Sequence, residues 1–321
     1  MPTSLISRGP LGFGGAILAG VVSTAIFAVA LAHAETLLVM VAYFTVLPLF
    51  LAGLGAGSLN GLAASLIGSA GLLLVQPPST AIAYVIINAL PAAILVALAL
   101  RHHVTTEQQI EWYSEGNLLA IITLYPCFLF LLVFGLASGE NGGLLTMTTK
   151  MLTEGTTQFK AQLDASMIDQ FTLALNRLVR ILPALAGCCW MFVTMLSMIA
   201  AQYILQQQNW NLRPGFTLTN LQIPQWLIMA AAATGLVGAL APAPYDYLGL
   251  NFCIMICVPF FFVGLAVIHA YAATKRFQMV ILVILYVALS RLPWLALLVT
   301  VLGVVDQWAN FRQRLIAKKP S

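Results

Sequence analysis

Long apolar runs separated by short polar breaks recur along the chain, over residues 11 to 33, 36 to 57, 61 to 76, 80 to 100, 117 to 137, 181 to 206, 225 to 242, 246 to 273 and 278 to 308. A helix rises about 1.5 Å per residue and the hydrocarbon core of a bilayer is about 30 Å thick, so a run of roughly 20 apolar residues predicts one spanning helix. The third run, at 16 residues, reaches only about 24 Å. It is therefore expected to be re-entrant or tilted, and the count stands at eight or nine spans. Stretches such as 279 to 289 (MVILVILYVAL) are apolar on every face, whereas strands of a transmembrane barrel alternate between lipid and lumen. The pattern predicts an all-α fold, a polytopic transmembrane helix bundle forming a single integral membrane domain over residues 1 to 321.

Composition leaves no room for a water-soluble alternative. Of 321 residues, 61% are hydrophobic and only 7% charged, and the mean hydropathy is +0.95, far above what a water-facing surface tolerates. Arg8 precedes the first run, which closes on Ala32-His33-Ala34 in the manner of a signal-peptidase site. A signal h-region is roughly 7 to 15 residues long; this run has 23, and the next begins at Thr36. A retained first span is the better expectation. All five cysteines (Cys127, Cys188, Cys189, Cys253 and Cys257) fall in apolar stretches, where a thiol packs as a small hydrophobe, so neither a disulfide framework nor a metal site is expected.

Basic residues concentrate on the cytoplasmic side of membrane proteins. Eight crossings with the N-terminus inside put nine Lys and Arg inside and four outside; nine crossings with the N-terminus outside give eight and five. Both schemes place the 138 to 180 loop and the basic tail, 309 to 321, in the cytoplasm of a bacterial inner membrane. In both, Lys275 and Arg276 lie on the side opposite the tail.

The 138 to 180 loop opens on Ser138-Gly139-Glu140-Asn141-Gly142-Gly143 and then carries an apolar stripe at spacings of three and four: Phe159, Leu163, Met167, Phe171, Leu175, Leu178 and Leu182. That period predicts one amphipathic cytoplasmic helix, lying on the membrane surface and feeding the next span at Pro183. The same face over residues 150 to 180 is also a candidate dock for a cytoplasmic protein partner.

Few side chains are candidates for chemistry. Gly53, Gly57 and Gly61 recur every four residues, predicting a helix face nearly bare of side chains, either for close helix packing or as a crevice that admits a solute. Arg291 interrupts the last run in Ser290-Arg291-Leu292-Pro293. A buried arginine is unfavourable in hydrocarbon, and the proline removes a backbone donor, so the segment is expected to bend there or to split into two half-helices. Asp306, Asp246 and Glu35 are the carboxylates available to pair with Arg291, which has a structural ion-pair role, an anion-binding or gating one, or a place in a polar interface or cavity mouth. Asp306, followed by Trp308, Arg312 and Arg314, is expected at the headgroup interface. Asn251 and His269 are placed to hydrogen-bond between helices or to touch a ligand. No zinc-protease, P-loop, serine-elbow or dinucleotide motif is present, so no enzyme, cofactor or nucleic-acid partner is expected.

Residues Asn251 to Ala273 and Val301 to Arg314 resemble the closing signature of the YybS-like family, bacterial membrane proteins carrying domain of unknown function 2232. The resemblance rests on Gly264, Leu265, Ala266, Val267, His269, Gly303, Asp306, Trp308, Phe311 and Arg312, with Asn310 standing where an acidic residue is common. Leu178 to Leu185 and Leu221 to Trp226 extend it upstream. The family implies topology more than activity. The N-terminal half, with its small-residue helices and Leu47-Pro48-Leu49, also resembles the substrate-binding membrane subunits of vitamin transporters of the energy-coupling-factor type. A transporter-like protein with a small-solute site inside the bundle is the leading expectation, and a membrane scaffold or assembly factor the alternative.

Overall fold

The computed structural model describes residues 12–33, 42, 44–139, 143–216 and 221–317. Arg8, Glu35, Glu140, Lys318 and Lys319 lie outside the described residues. Among the described residues, six helical stretches are long and apolar enough to cross a membrane. They are α1 (Gly12–Ala32), α3 (Ser58–Val75), a stretch combining α4 (Pro78–Tyr84), a π-helical turn (Val85–Ala89) and α5 (Leu90–Ala99), then α6 (Glu115–Ala137), α9 (Ala165–Gln207) and α11 (Tyr245–Ala272). Shorter apolar helices are α2 (Leu47–Ala56), α10 (Trp226–Leu240), α12 (Gln278–Arg291) and α13 (Leu295–Ala309). The remaining elements are α7 (Gly143–Gly155), α8 (Thr157–Lys160), α14 (Phe311–Ala317) and a hairpin of β1 (His102–Val104) with β2 (Ile110–Trp112). The chain is an all-α membrane protein, as the apolar runs predict. It divides into two compact units, 1–122 with 190–217 and 123–189 with 218–321; α6 and α9 each contribute to both.

In the first unit, prolines mark helix starts: Pro48 lies in the first turn of α2 and Pro78 in that of α4, where the missing N–H costs nothing. Pro48 thus opens a ten-residue helix and does not sit inside a long span. Gly53, Gly57 and Gly61 were expected on one helix face, and the structure corrects this. Gly57 takes φ 104°, a conformation open to glycine, and separates α2 from α3. A Cβ at Gly61 would stand 3.0 Å from the Gly53 Cα, although eight residues of continuous helix would hold them about 12 Å apart. The chain therefore folds back at Gly57 as a helical hairpin, and Val96 of α5 fills the notch, 2.6 Å from a Cβ built on Gly53. The third run, counted as too short, forms the 18 residues of α3 and qualifies as a span.

In the second unit, α11 is the most enclosed helix, and small residues bring its neighbours to backbone contact. A Cβ on Gly238 of α10 would lie 2.7 Å from the Leu250 nitrogen, and Gly249 faces Val237 in return. On α13, Gly303 meets the Phe260 carbonyl and Val299 meets Gly264, so α13 runs antiparallel to α11. The run from 278 to 308 is not one span. It breaks after Arg291, with Leu292 at φ −125°, ψ 81° and Pro293 following, because proline excludes the helical conformation from the residue before it. After α13 the chain turns at Asn310, φ 49°, a left-handed conformation that asparagine takes more readily than most residues; α14 then packs against α11. Tyr271 near the end of α11 and Arg314 of α14 line one groove. Arg314 accordingly lies toward the α11 end that carries Lys275, whose Nζ is 4.9 Å from the centre of the Tyr271 ring.

The single amphipathic helix expected across 138 to 180 is also corrected. It is divided into α7, α8 and the start of α9. Phe159 and Phe171, twelve residues apart, pack tilted against each other with ring centroids 5.4 Å apart, which a straight helix would not allow. Beyond that break α9 continues through Pro183 for 43 residues without interruption.

Candidate polar sites in the two units

The second unit contains a buried ion pair. Asp306 is 1% exposed, and its Oδ2 accepts from Nε of Arg312 at 2.7 Å. Arg312, itself buried, also donates from Nη1 to the Leu221 carbonyl at 2.6 Å. Both residues were expected at the headgroup interface; the turn at Asn310 folds Arg312 back onto the last turn of α13, where the two are buried against each other. Among the described residues the second carboxylate oxygen, Oδ1, is buried with no hydrogen-bond partner. An unmet acceptor of this kind costs about 1–3 kcal/mol, more for an ionised group. Gly303 meets Phe260, and Asp306 lies one turn further along α13, so the carboxylate falls opposite the middle of the 28-residue α11. At about 1.5 Å per residue α11 is roughly 42 Å long, which puts this pair deep along a helix of spanning length.

Asn251 of α11 is fully buried and holds α9 at its proline. Its Oδ1 accepts from the Ala184 N–H at 2.9 Å, while its Nδ2 donates to the carbonyls of Arg180 at 2.9 Å and Tyr247 at 2.8 Å. Ala184 and Arg180 are the two ends of one helical rung. The amide bridges that rung next to Pro183, which has no N–H to offer Val179. The Arg180 side chain pairs with Asp246 at 2.7 Å in the first turn of α11, where a carboxylate also complements the helix dipole.

His269 accepts from or donates to two groups according to its tautomer, with Nδ1 2.8 Å from the Leu265 carbonyl and Nε2 3.3 Å from the Tyr286 hydroxyl. A proton on Nδ1 satisfies both, because the carbonyl can only accept and the hydroxyl can then donate. Arg291 is exposed as the last residue of α12. Among the described residues no carboxylate lies within ion-pair distance of it. Of its expected partners, Asp306 is held by Arg312 and Asp246 by Arg180, and Glu35 lies outside the described residues. The structure thus places Asn251 and His269 18 residues apart on α11 and Asp306 on the neighbouring α13, each with its own partners, so these candidates and Arg291 do not converge on one site.

The first unit holds polar groups that hydropathy alone did not single out. Ser23 Oγ lies 2.7 Å from the Thr45 carbonyl and 2.7 Å from the Tyr84 hydroxyl. The carbonyl takes the serine proton, so the tyrosine is the donor to Ser23. Thr24 donates to the Gly68 carbonyl at 2.8 Å, and among the described residues the Thr45 and Ser65 hydroxyls are buried without partners. Pro91 cannot donate to the carbonyl four residues back, Ile87, and the Trp190 indole N–H fills that place at 2.8 Å. A proline inside a span followed by such a free carbonyl is a signal the sequence does offer.

Arg213 is buried against the end of α5. Nη1 donates to the Ala99 carbonyl at 3.0 Å, Glu115 lies 3.9 Å away, and the guanidinium stands 5.9 Å from the centre of the Trp112 ring. A cation at a helix C-terminus is favourable. Burial pushes its pKa below the usual arginine value, and Glu115 opposes that shift.

The family model described as "Predicted membrane protein (DUF2232)" matches residues 21–307. No curated protein and no solved structure matches the chain. The matched segment contains every span-length helix from the middle of α1 through Asp306, and on that extent the chain belongs to the DUF2232 family of predicted membrane proteins.

Proposed function

We propose that the protein is a transporter-type component of the bacterial inner membrane that holds a small solute inside its helix bundle, against Asp306. The observation that carries this reading is the buried Oδ1, which lacks a partner although Oδ2 is held by Arg312. Intramembrane ionisable groups are unfavourable, and where they persist they commonly mark a solute or ion path. A donor on the solute, such as an ammonium or amide N–H, would complete the carboxylate. The short helix α13 reaches Asp306 beside the middle of α11, in the manner of the discontinuous helices that build transporter sites.

Native mass spectrometry of the gently solubilised protein tests the proposal. A small-molecule adduct is expected on the wild type and is expected to be lost in Asp306→Leu/Arg312→Met, which removes the pair together. The absence of any adduct, or its survival in the double variant, refutes the reading.

The scaffold reading keeps one supporting observation: Met151, Met167 and Leu173 are exposed on α7 and α9. A partner gripping both residues 150 to 180 and the basic tail would have to span α11, since Arg180 meets its first turn and Arg314 its last. Replacing 150 to 180 with a neutral linker and testing co-purification discriminates the two.

A further inference from the structure

A groove of about 490 Å³ lies at the C-terminal end of α11, walled by Val267, Ile268, Leu302, Phe311 and Leu315, with Tyr271 and Arg314 as its polar members. We propose that it seats one acyl chain of an anionic phospholipid, whose phosphate is held by Arg314 and Lys275.

Three observations converge on that occupant. The walls are branched and aromatic hydrocarbon, which suits an alkyl chain and gives a free anion no reason to enter. The polar members share one end with further basic groups. Lys275 stands with its Nζ 4.9 Å from the centre of the Tyr271 ring, and Arg276 follows it. Charge is strongly one-sided: residues 272 to 321 carry seven Lys and Arg (275, 276, 291, 312, 314, 318 and 319) against Asp306 alone. Asp306 is buried and pairs with Arg312, out of reach of the exposed groove end, so no carboxylate in that segment neutralises Arg314 or Lys275. A zwitterionic lipid would leave this excess uncompensated, whereas a phosphate without a counter-cation balances it. Tyrosine beside lysine at the end of a spanning helix is also the expected headgroup-level arrangement.

The experiment uses the full-length protein reconstituted in nanodiscs, with phosphatidylcholine alone or with phosphatidylglycerol added, followed by native mass spectrometry of retained lipid. Preferential retention of phosphatidylglycerol is expected. Each basic side chain near a membrane surface contributes about fivefold in affinity, so Arg314→Gln or Lys275→Gln should lower retention about fivefold and the pair about 25-fold. Arg314 and Lys275 are exposed, so these changes leave folding intact, with the thermal midpoint as the check. Leu302→Trp, which fills the groove and keeps both charges, should also abolish retention. Equal retention of both lipids, or loss of neither on Arg314→Gln/Lys275→Gln, marks an ordinary annular contact and overturns the proposal. Displacement of the lipid by millimolar inorganic phosphate alone would identify a free-anion site and overturn it as well.

Discussion

Gly303→Ala adds one methyl group at the closest approach in the second unit. Its Cβ would collide with the Phe260 carbonyl oxygen and stand 2.7 Å from the Gly264 nitrogen and 2.8 Å from the Phe260 carbonyl carbon. All three obstacles are backbone atoms of α11, so no rotamer change relieves them, and the helices must separate. Overpacking typically costs 1–3 kcal/mol when side chains can yield; with backbone on both sides, about 3 kcal/mol or more is expected. Separation also lowers the contact of Val299 with Gly264 and moves Asp306 away from its place beside α11. Gly135→Ala is the matched control: a Cβ there meets nothing within 4 Å, and alanine is favoured over glycine in a helix by about 1 kcal/mol. The same chemical change should therefore destabilise at one position and stabilise or leave unchanged at the other. Thermal unfolding in a fixed detergent, followed by near-ultraviolet circular dichroism, measures both. If Gly303→Ala shifts the midpoint no more than Gly135→Ala, the backbone contact between α11 and α13 is wrong.

Three further outcomes are expected in the same assay. Asp306→Asn leaves Arg312 buried without a counter-charge and should cost about 3–5 kcal/mol, whereas Asp306→Leu/Arg312→Met should recover most of it; equal stability of the single and double variants would refute the buried pair. Asn251→Ala removes three hydrogen bonds, but the Ala184 N–H and Arg180 carbonyl can close on each other, so the loss should be about 1–2 kcal/mol, well below the several kcal/mol of groups left unpaired in lipid. Hydrogen exchange at Ala184 checks the closure. Trp190→Phe strips the donor from the Ile87 carbonyl and should cost about 1–3 kcal/mol, a penalty that Pro91→Ala should largely cancel by restoring the helical N–H; an undiminished penalty in that background would place the loss elsewhere.

Much of the fold was legible because hydropathy is a one-dimensional property. A run such as 246 to 273 must be helical in lipid, where each backbone group needs an internal partner, and α11 appears within one residue of those bounds. The break at Arg291-Leu292-Pro293 was legible for the same reason, since proline acts locally. What the break does was not: whether α13 continues onward or returns beside α11 depends on Gly264 and Gly303 meeting, a contact between residues 39 apart that no local signal encodes. Asp306 and Arg312 show the same limit. Read linearly they close an apolar helix and suggest a headgroup location; only the left-handed turn at Asn310 brings Arg312 inward. The Gly53, Gly57 and Gly61 spacing pointed to close packing, which Gly53 and Gly61 provide, but not to one shared face: a four-residue period implies one face only while the helix continues, and Gly57 at φ 104° ends it.

The sequence by itself determined the environment, the helical class, the places where helices must break, and the short list of polar residues a membrane would not tolerate idly. Tertiary structure decided which of those residues meet. Asp306 found Arg312 and not Arg291, Asp246 found Arg180, and Asn251 found the backbone beside Pro183. The physical reason is that lipid exposure is set by each segment alone, whereas pairing within a bundle is set by where small residues let backbones touch.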